Sequence, residues 1–483
     1  MPHYDRLSAL DESFLHLERA DTPMHVGAVA VLERDPFYGL DGTFRLDDVR
    51  ELVRSRLELL PRFRRTVMNV PYNCGRPIWV DDPNFDVARH VRLTSLPAPG
   101  NRRQLLELAE RLAAEVLDRD HPLWEIWFVE GVDGGKRVGL LHKSHHTLTD
   151  GISGVDIATA LLDLEPSPPA VEVHEWVPVP GPTPMSLFVD TMFENTLRGV
   201  DLMSHLQEAV NAPRAAAGQV AQLGRSLGTV FSGGPVASRL SWNATIEPGR
   251  KLETFMVPLE IARDVRAAFG CTINDVVLAA VGGGVARLLD QRGDLTDDLV
   301  VKVFCPVSVR DDSQRSQLGN RISTMIVPLP VGDPDPRARI DAVRASTVEL
   351  KDREQAVGAA TLIGLGEYAA PTLLGLAARA AHGQPFANLI VTNIPGPQIP
   401  LYLLGAQMLE VYPIVPLSRN LTLNVAVLSY CGQLHFGLIG DGAAAHDLEV
   451  LAGGIEDAFA ELLALAEREP ETDPVVESSE SEH

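Results

Sequence analysis

Cysteine is scarce in this chain of 483 residues: Cys74, Cys271, Cys305 and Cys431 are the only four. They lie far apart and no CxxC occurs, so neither a zinc knuckle nor a disulfide framework is expected. A reducing cytoplasm is the expected home. Positive charge is short as well. Lysine and arginine number 42 against 65 acidic residues, a formal net charge of −23. That balance excludes a nucleic-acid binder and a protein held to anionic lipid by charge alone. The N-terminus, MPHYDRLSAL, lacks the apolar core of a signal peptide. Long apolar runs are missing too. The longest weakly charged stretch, Gln355 to Ala378, reaches the ~20 residues that a bilayer span takes. Glu367 interrupts it, however, and Pro371 follows, so it reads as one or two buried or interfacial helices. No internal repeat of solenoid length is visible.

What is present is a globular composition, 45% hydrophobic and 22% charged. The length exceeds one ordinary core, and two domains of roughly 150–220 residues each are expected. Residues 1–165 read as mixed α/β, with strands at Met24–Glu33 and Arg137–His146 and a helix over Arg102–Asp118. Seven prolines between Glu165 and Pro184 mark an extended surface crossover. Helical segments then run to about Gly228, so residues 166–250 are expected to form a linker. A second α/β half follows over 251–467. It has an amphipathic helix at Thr272–Gly293 and strands at Leu299–Arg310, Ser323–Pro330, Leu389–Pro397, Leu421–Tyr430 and Gln433–Asp441. Cys431-Gly432 signals a hairpin between the last two. The acidic tail, 468–483, is expected to be disordered.

The stretch LLHKSHHTLTDG, Leu140 to Gly151, places His145 and His146 at the end of an apolar strand and turns at once through Asp150-Gly151. Side chains alternate faces along a strand, so His142 and His146 point one way and His145 the other. Metal ligands must converge on one centre, and no metal site is expected. No GxSxG elbow occurs, because GISGVD lacks the second glycine where it is required. GLGEYA, Gly364 to Ala369, mimics a dinucleotide fingerprint without a strand before it. A single positioned imidazole remains. Neutral histidine is a base near physiological pH. It can take the proton of an alcohol whose oxygen attacks an activated acyl group, help worth ~10²–10⁴-fold. Asp150 would pair with a cation or cap the following helix, and Gly151 lets the backbone turn without a Cβ. Spacing alone leaves open a core histidine at a strand end, followed by a capping aspartate.

HHTLTDG matches the HHxxxDG motif of acyltransferases that use coenzyme A or carrier-protein thioesters. More specifically, the chain resembles the bacterial wax ester synthase/acyl-CoA:diacylglycerol acyltransferase family. The resemblance runs in order through LSALDESFLHLE, TPMHVGAVAVLE, PIWVDDPNFDVARHV, HPLWEIWFVEG, HHTLTDG, TINDVVLAA, CPVSVR, GNRIS and TNIPGP. Thr147 departs from it, standing where the family usually has alanine.

The resemblance implies two chloramphenicol-acetyltransferase-like halves with a tunnel between them and the histidine motif near its middle. It implies that His146 is the general base, His145 its supporting neighbour and Asp150 chiefly structural, with Arg310 the expected partner of Asp150. Pro122, Leu123 and Trp124 match a PLW motif, as substrate contacts or a packed turn. Asn274 and Asp275 match an ND motif, with Asn274 either a donor near the reacting carbonyl or a helix N-cap. Gly319, Asn320 and Arg321 are expected to shape a loop over the site, and Thr392 and Asn393 to contact the thioester.

The implied activity moves a fatty acyl group from acyl-CoA to diacylglycerol or a long-chain alcohol, with no acyl-enzyme, metal or cofactor. A carrier-protein thioester as donor, or a lipid-binding paralogue without activity, are the alternatives. Such acceptors barely dissolve. Peripheral contact with the inner membrane or lipid droplets is therefore expected, through the segment Ala356–Ala378.

Overall fold

The computed structural model describes residues 4–149, 160–168, 176–211, 236–308, 322–357 and 386–468. The expected segment Ala356–Ala378 lies outside them from residue 358 onward, and so do Asp150, Gly151, Arg310, Gly319, Asn320, Arg321 and the acidic tail from residue 469.

In chain order the first half holds β1 (His25–Glu33), β2 (Arg65–Met68), β3 (Ile78–Asp81), β4 (Val91–Ser95), β5 (Trp124–Val132) and β6 (Arg137–His145). The second holds β7 (Arg250–Pro258), β8 (Val300–Ser308), β9 (Ile322–Pro330), β10 (Leu389–Ile394), β11 (Tyr402–Leu403), β12 (Ala406–Ile414), β13 (Leu423–Tyr430) and β14 (Gln433–Asp441). Two six-stranded sheets result, ordered β11-β12-β1-β6-β5-β4 and β7-β14-β13-β10-β8-β9, while β2 and β3 form a separate ribbon. The mixed α/β expectation therefore holds, with two sheet-containing halves.

Local chemistry explains the boundaries. The helix α1 (Ala9–Leu17) starts at Ser8, whose hydroxyl accepts the Asp11 N–H. Among further helices are α2 (Leu46–Arg56), α3 (Val87–His90) and α4 (Arg102–Ala114). The last opens with a capping box between Asn101 and Gln104. It stops four residues short of the expected Asp118. There the buried Lys143 ammonium of β6 donates to the carbonyls of Leu112 and Glu115, both at 3.1 Å. A cation at a helix C-terminus satisfies orphan carbonyls and complements the dipole.

The helix Ile273–Arg292 matches its expected span between Thr272 and Gly293. Thr272 and Asp275 form a capping box, and Gly293 closes the helix in the left-handed region at φ 72°. The Cys431-Gly432 hairpin is also present, both residues having positive φ, 45° and 79°, as a two-residue turn between twisted strands requires.

One feature of the topology does not follow chain order. Residues 402–414 lie in the second half of the sequence, yet β11 and β12 complete the first sheet. Strand β12 runs antiparallel to β1, from Gly27↔Ile414 to Leu32↔Met408. Where β12 passes β14 the backbones nearly touch: a Cβ on Gly437 would lie 2.0 Å from the Pro413 carbonyl oxygen. Glycine alone permits that approach.

The second sheet buries Val303, Leu389, Val391, Val425 and Phe436 under the helices Leu259–Phe269, Ile273–Arg292 and Leu448–Ala466. Its opposite face meets the first sheet, where Leu252 and Ile439 share a core with Val29, Leu141, Tyr412 and Leu105. Helix α4 brackets this junction. Arg102 donates to the Thr254 hydroxyl at 2.8 Å, Arg103 to the Leu252 carbonyl at 3.1 Å, and Glu110 accepts the Leu252 N–H at 2.9 Å. All four cysteines are free thiols.

Candidate active site

The histidine pair sits on the central strands of the first sheet. Strand β6 lies between β1 and β5, so each histidine backbone is held from a different side. The His145 N–H donates to the Leu123 carbonyl at 2.9 Å, and the His146 N–H donates to the Met24 carbonyl at 2.8 Å. A Cβ on Gly27 would lie 2.1 Å from the His142 carbonyl oxygen, so the strand beside the pair also needs its glycine. The strand ends at His145, one residue before the expected end, and a 3-10 turn, His146–Thr149, begins. His146 thus leaves the sheet while His145 stays in it.

The two imidazoles have different surroundings. His146 stacks on Phe14 of α1, with ring centroids 3.9 Å apart and planes at 19°. Burial pushes its pKa down to about 4, because desolvation disfavours the charged ring. His145 is fully buried. Its Nε2 lies 3.4 Å from Glu18 Oε1, and its Nδ1 lies 2.8 Å from the Thr147 hydroxyl and accepts the Thr147 N–H at 3.2 Å.

Glu18 is the functional residue that sequence reasoning missed. It stands at the C-cap of α1, four positions after Phe14, a spacing that puts two side chains on one helix face. One short helix thereby covers His146 and holds His145. Glu18 Oε1 also lies 3.3 Å from His25 Nε2 and accepts the Met24 N–H at 3.3 Å. Its Oε2 accepts from Arg119 at 2.8 and 3.1 Å. Burial pushes the carboxyl up, but His145, His25 and Arg119 outweigh it and hold the group well below the usual carboxylate range. The available signal was an acid ending the otherwise apolar FLHLE, just before TPMH.

The PLW residues are packing residues with one contact of consequence. All three are buried. The Trp124 indole donates to the Phe63 carbonyl at 2.8 Å and stacks on His90 at 4.5 Å. Leu123 lends the carbonyl that holds His145.

Asn274 is not an N-cap, because Thr272 takes that role with Asp275 as its partner. The Asn274 amide instead reaches Cys305 Sγ at 3.8 Å. Thr392 and Asn393 lie on β10, where the second sheet splits. Strand β10 pairs with β8 only at Leu389↔Val303 and Ile390↔Phe304 but stays with β13 as far as Ile394↔Leu428. The split leaves the Thr392 hydroxyl buried without a hydrogen bond. No described hydrogen bond joins Asn274, Thr392 or Asn393 to the histidine pair.

The expected Asp150–Arg310 pairing lies outside the described residues, as do Gly151 and Asn320. Beside the pair, a crevice between the first sheet and the second half is lined by His25, Ala109, Trp127, His142, Arg250 and Leu417. His142 Nε2 is buried without a hydrogen bond, and burial pushes that ring down to about 4. Among the described residues, no three His, Cys, Asp or Glu side chains are grouped as a metal ion requires.

A family model for the wax ester synthase/diacylglycerol acyltransferase catalytic domain matches residues 7–277. A model for the WS/DGAT C-terminal domain matches residues 318–463. A probable diacylglycerol O-acyltransferase of Mycobacterium tuberculosis (strain H37Rv) is 33% identical over 471 residues, covering 96% of this chain and 97% of the relative. The solved wax ester synthase/diacylglycerol acyltransferase of Marinobacter aquaeolei VT8 superposes with a TM-score of 0.67 at 24% identity, over 96% of this chain and 100% of that one. The trichothecene 15-O-acetyltransferase of Fusarium sporotrichioides superposes with a TM-score of 0.57 at 14% identity, over 95% and 94%. These two structural likenesses show the fold.

Proposed function

The chain belongs to the wax ester synthase/diacylglycerol acyltransferase family, an acyl-transferring enzyme family, and from that premise we propose that it moves a fatty acyl group from acyl-CoA to diacylglycerol or a long-chain alcohol. His146 takes the acceptor hydroxyl proton as the oxygen attacks the thioester carbonyl. The carbon–sulfur bond of the tetrahedral intermediate then breaks, and His146 returns the proton to the departing thiolate. No acyl-enzyme forms, and neither a metal nor a cofactor takes part.

The observation that carries this reading is the division of labour within the pair. Buried His145 is tied to Glu18 and Thr147, whereas His146 leaves the strand and is kept neutral by burial. A neutral imidazole is the form a general base needs. Asn274, Thr392 and Asn393 are proposed to meet the thioester from the split in the second sheet.

The acceptor must come from a lipid surface. No single helix among the described residues is long and apolar enough to cross a membrane. The bent pair Leu259–Phe269 and Ile273–Arg292 has the composition, but its apolar side chains lie in the second core. Peripheral contact through the helix Pro184–Asn211 has better support. In its described first half two charges turn inward: Asp190 accepts from Tyr4 at 2.6 Å and Glu194 from Arg6 at 3.0 Å. Its outer side carries Met185, Val189, Met192, Phe193 and Leu197, all exposed, and no charge between Met185 and Leu197. An uncharged apolar face suits the uncharged interior of a lipid surface, where a net charge of −23 forbids docking by attraction to anionic headgroups.

The test is thiol release. Purified protein with palmitoyl-CoA should liberate CoA only when diacylglycerol or hexadecanol is present, with the ester as co-product. Release that ignores the acceptor, or needs a carrier-protein thioester, would refute the reading.

A further inference from the structure

We infer that Thr147 is a positioning residue that holds His145 as the neutral tautomer protonated on Nε2, so that the acceptor proton goes to His146 and not to its neighbour. The inference rests on the acyl-transfer reading above and adds a residue to it.

The tautomer follows from a donor with only one role. The Thr147 backbone N–H can only donate, and it points at His145 Nδ1 at 3.2 Å. Nδ1 must therefore present a lone pair, and the hydrogen of the neutral ring resides on Nε2. The Thr147 hydroxyl, 2.8 Å from the same nitrogen, is then the donor of a second and shorter hydrogen bond. The side chain is fully buried, so water does not replace it. Nε2–H faces Glu18 Oε1 at 3.4 Å.

Protonating His145 would put a hydrogen on Nδ1, against the Thr147 N–H, and would force the hydroxyl to turn. The charged groups around the ring pull in both directions. Glu18 at the end of α1, neutralised by Arg119, favours the cation. His25 of β1, with its ring 6.0 Å away, and His146 and Lys143 on the same segment, oppose it. The hydroxyl adds to the second group. An alanine here would leave the backbone N–H alone on Nδ1.

The experiment uses the full chain with Thr147→Val, Thr147→Ala and Thr147→Ser, and has two readouts. In ¹⁵N-histidine NMR spectra at pH 7, wild type and the serine variant should show His145 with its hydrogen on Nε2, whereas the valine and alanine variants should show a share of rings protonated on Nδ1. In turnover, kcat should fall about three- to tenfold in those two variants with an unchanged KM for palmitoyl-CoA. Alanine makes no new contact, so it carries the test if valine does not fold. Unchanged ring shifts and an unchanged kcat in the alanine variant would overturn the inference, as would a serine variant that behaves like alanine. If no variant, wild type included, transfers acyl groups, the function fails while the ring shifts still decide the tautomer.

Discussion

Each sheet buries a polar cluster, and among the described residues the cluster on the first sheet is the one that holds the histidine pair. On the first, His145, Glu18, His25, Arg119 and Thr147 form a connected network, closed by the backbone of Met24. On the second, Asn388 donates to Asn243 and the Ser238 carbonyl, and Asn424 to the Pro416 carbonyl, away from the pair. The Thr392 hydroxyl and His435 Nδ1 are buried without a hydrogen bond, as His142 Nε2 and Ser144 Oγ are on the first sheet, and the Asn274 amide reaches the Cys305 thiol. A connected network over-determines the orientation of its members, while isolated buried polar atoms are costly and adaptable. The first sheet therefore carries the group whose position must not vary.

The sharpest break of that comparison is His146→Ala. Turnover should fall ~10²–10⁴-fold with an unchanged far-ultraviolet circular dichroism spectrum, whereas His435→Ala in the second sheet should leave kcat within about threefold. Comparable losses from both would erase the distinction.

Glu18→Ala comes next. It should cost about 1–3 kcal/mol, the penalty of leaving buried partners unpaired, and lower kcat about tenfold as His145 loosens. Urea melts alongside steady-state kinetics check it, and full stability in the variant would mean that the network is not a clamp.

Acid titration probes the second sheet. His435 is buried against Tyr412 and Tyr430, near Glu410 and Arg102, and burial pushes it down to about 4. A histidine depressed on folding binds its proton first in the unfolded chain. Stability therefore falls as pH drops from about 6.5 to about 4. The loss from this one group is at most roughly 3 kcal/mol. The difference between urea midpoints at pH 7 and pH 4.5 should shrink in His435→Gln. An identical drop in both proteins would assign the acid sensitivity elsewhere.

The smallest expected effect lies outside both sheets. Val189→Asp with Phe193→Asp should cut binding to phosphatidylcholine vesicles and diacylglycerol turnover about tenfold while sparing folding and short soluble alcohols. Normal vesicle binding by a folded double variant would rule that helix face out as the docking surface.

Much of the scaffold was legible in the chain itself, for local reasons. Apolar runs of strand length mark β1, β6, β13 and β14, the Thr272–Asp275 box starts its helix, and the Cys431-Gly432 turn closes its hairpin. These are contacts between residues a few positions apart, where spacing is geometry. HHTLTDG likewise places two histidines at a strand end, although His146 sits in the turn after the strand and not on its opposite face. The end of α4 was not legible, because the ammonium that caps it comes from Lys143 on another strand. Nor was the membership of β12 in the first sheet, because a strand pattern states which face is apolar and not which neighbour it will pair with.

By itself, then, the sequence determined which residues could do proton chemistry and the local elements that present them. Tertiary structure alone decided that His145 and His146 would differ. Glu18 reaches the pair across more than a hundred residues of chain, Phe14 covers one ring and not the other, and burial removes the water that would otherwise make the two imidazoles alike. A pKa and a tautomer are properties of surroundings, and surroundings exist only once distant segments have packed.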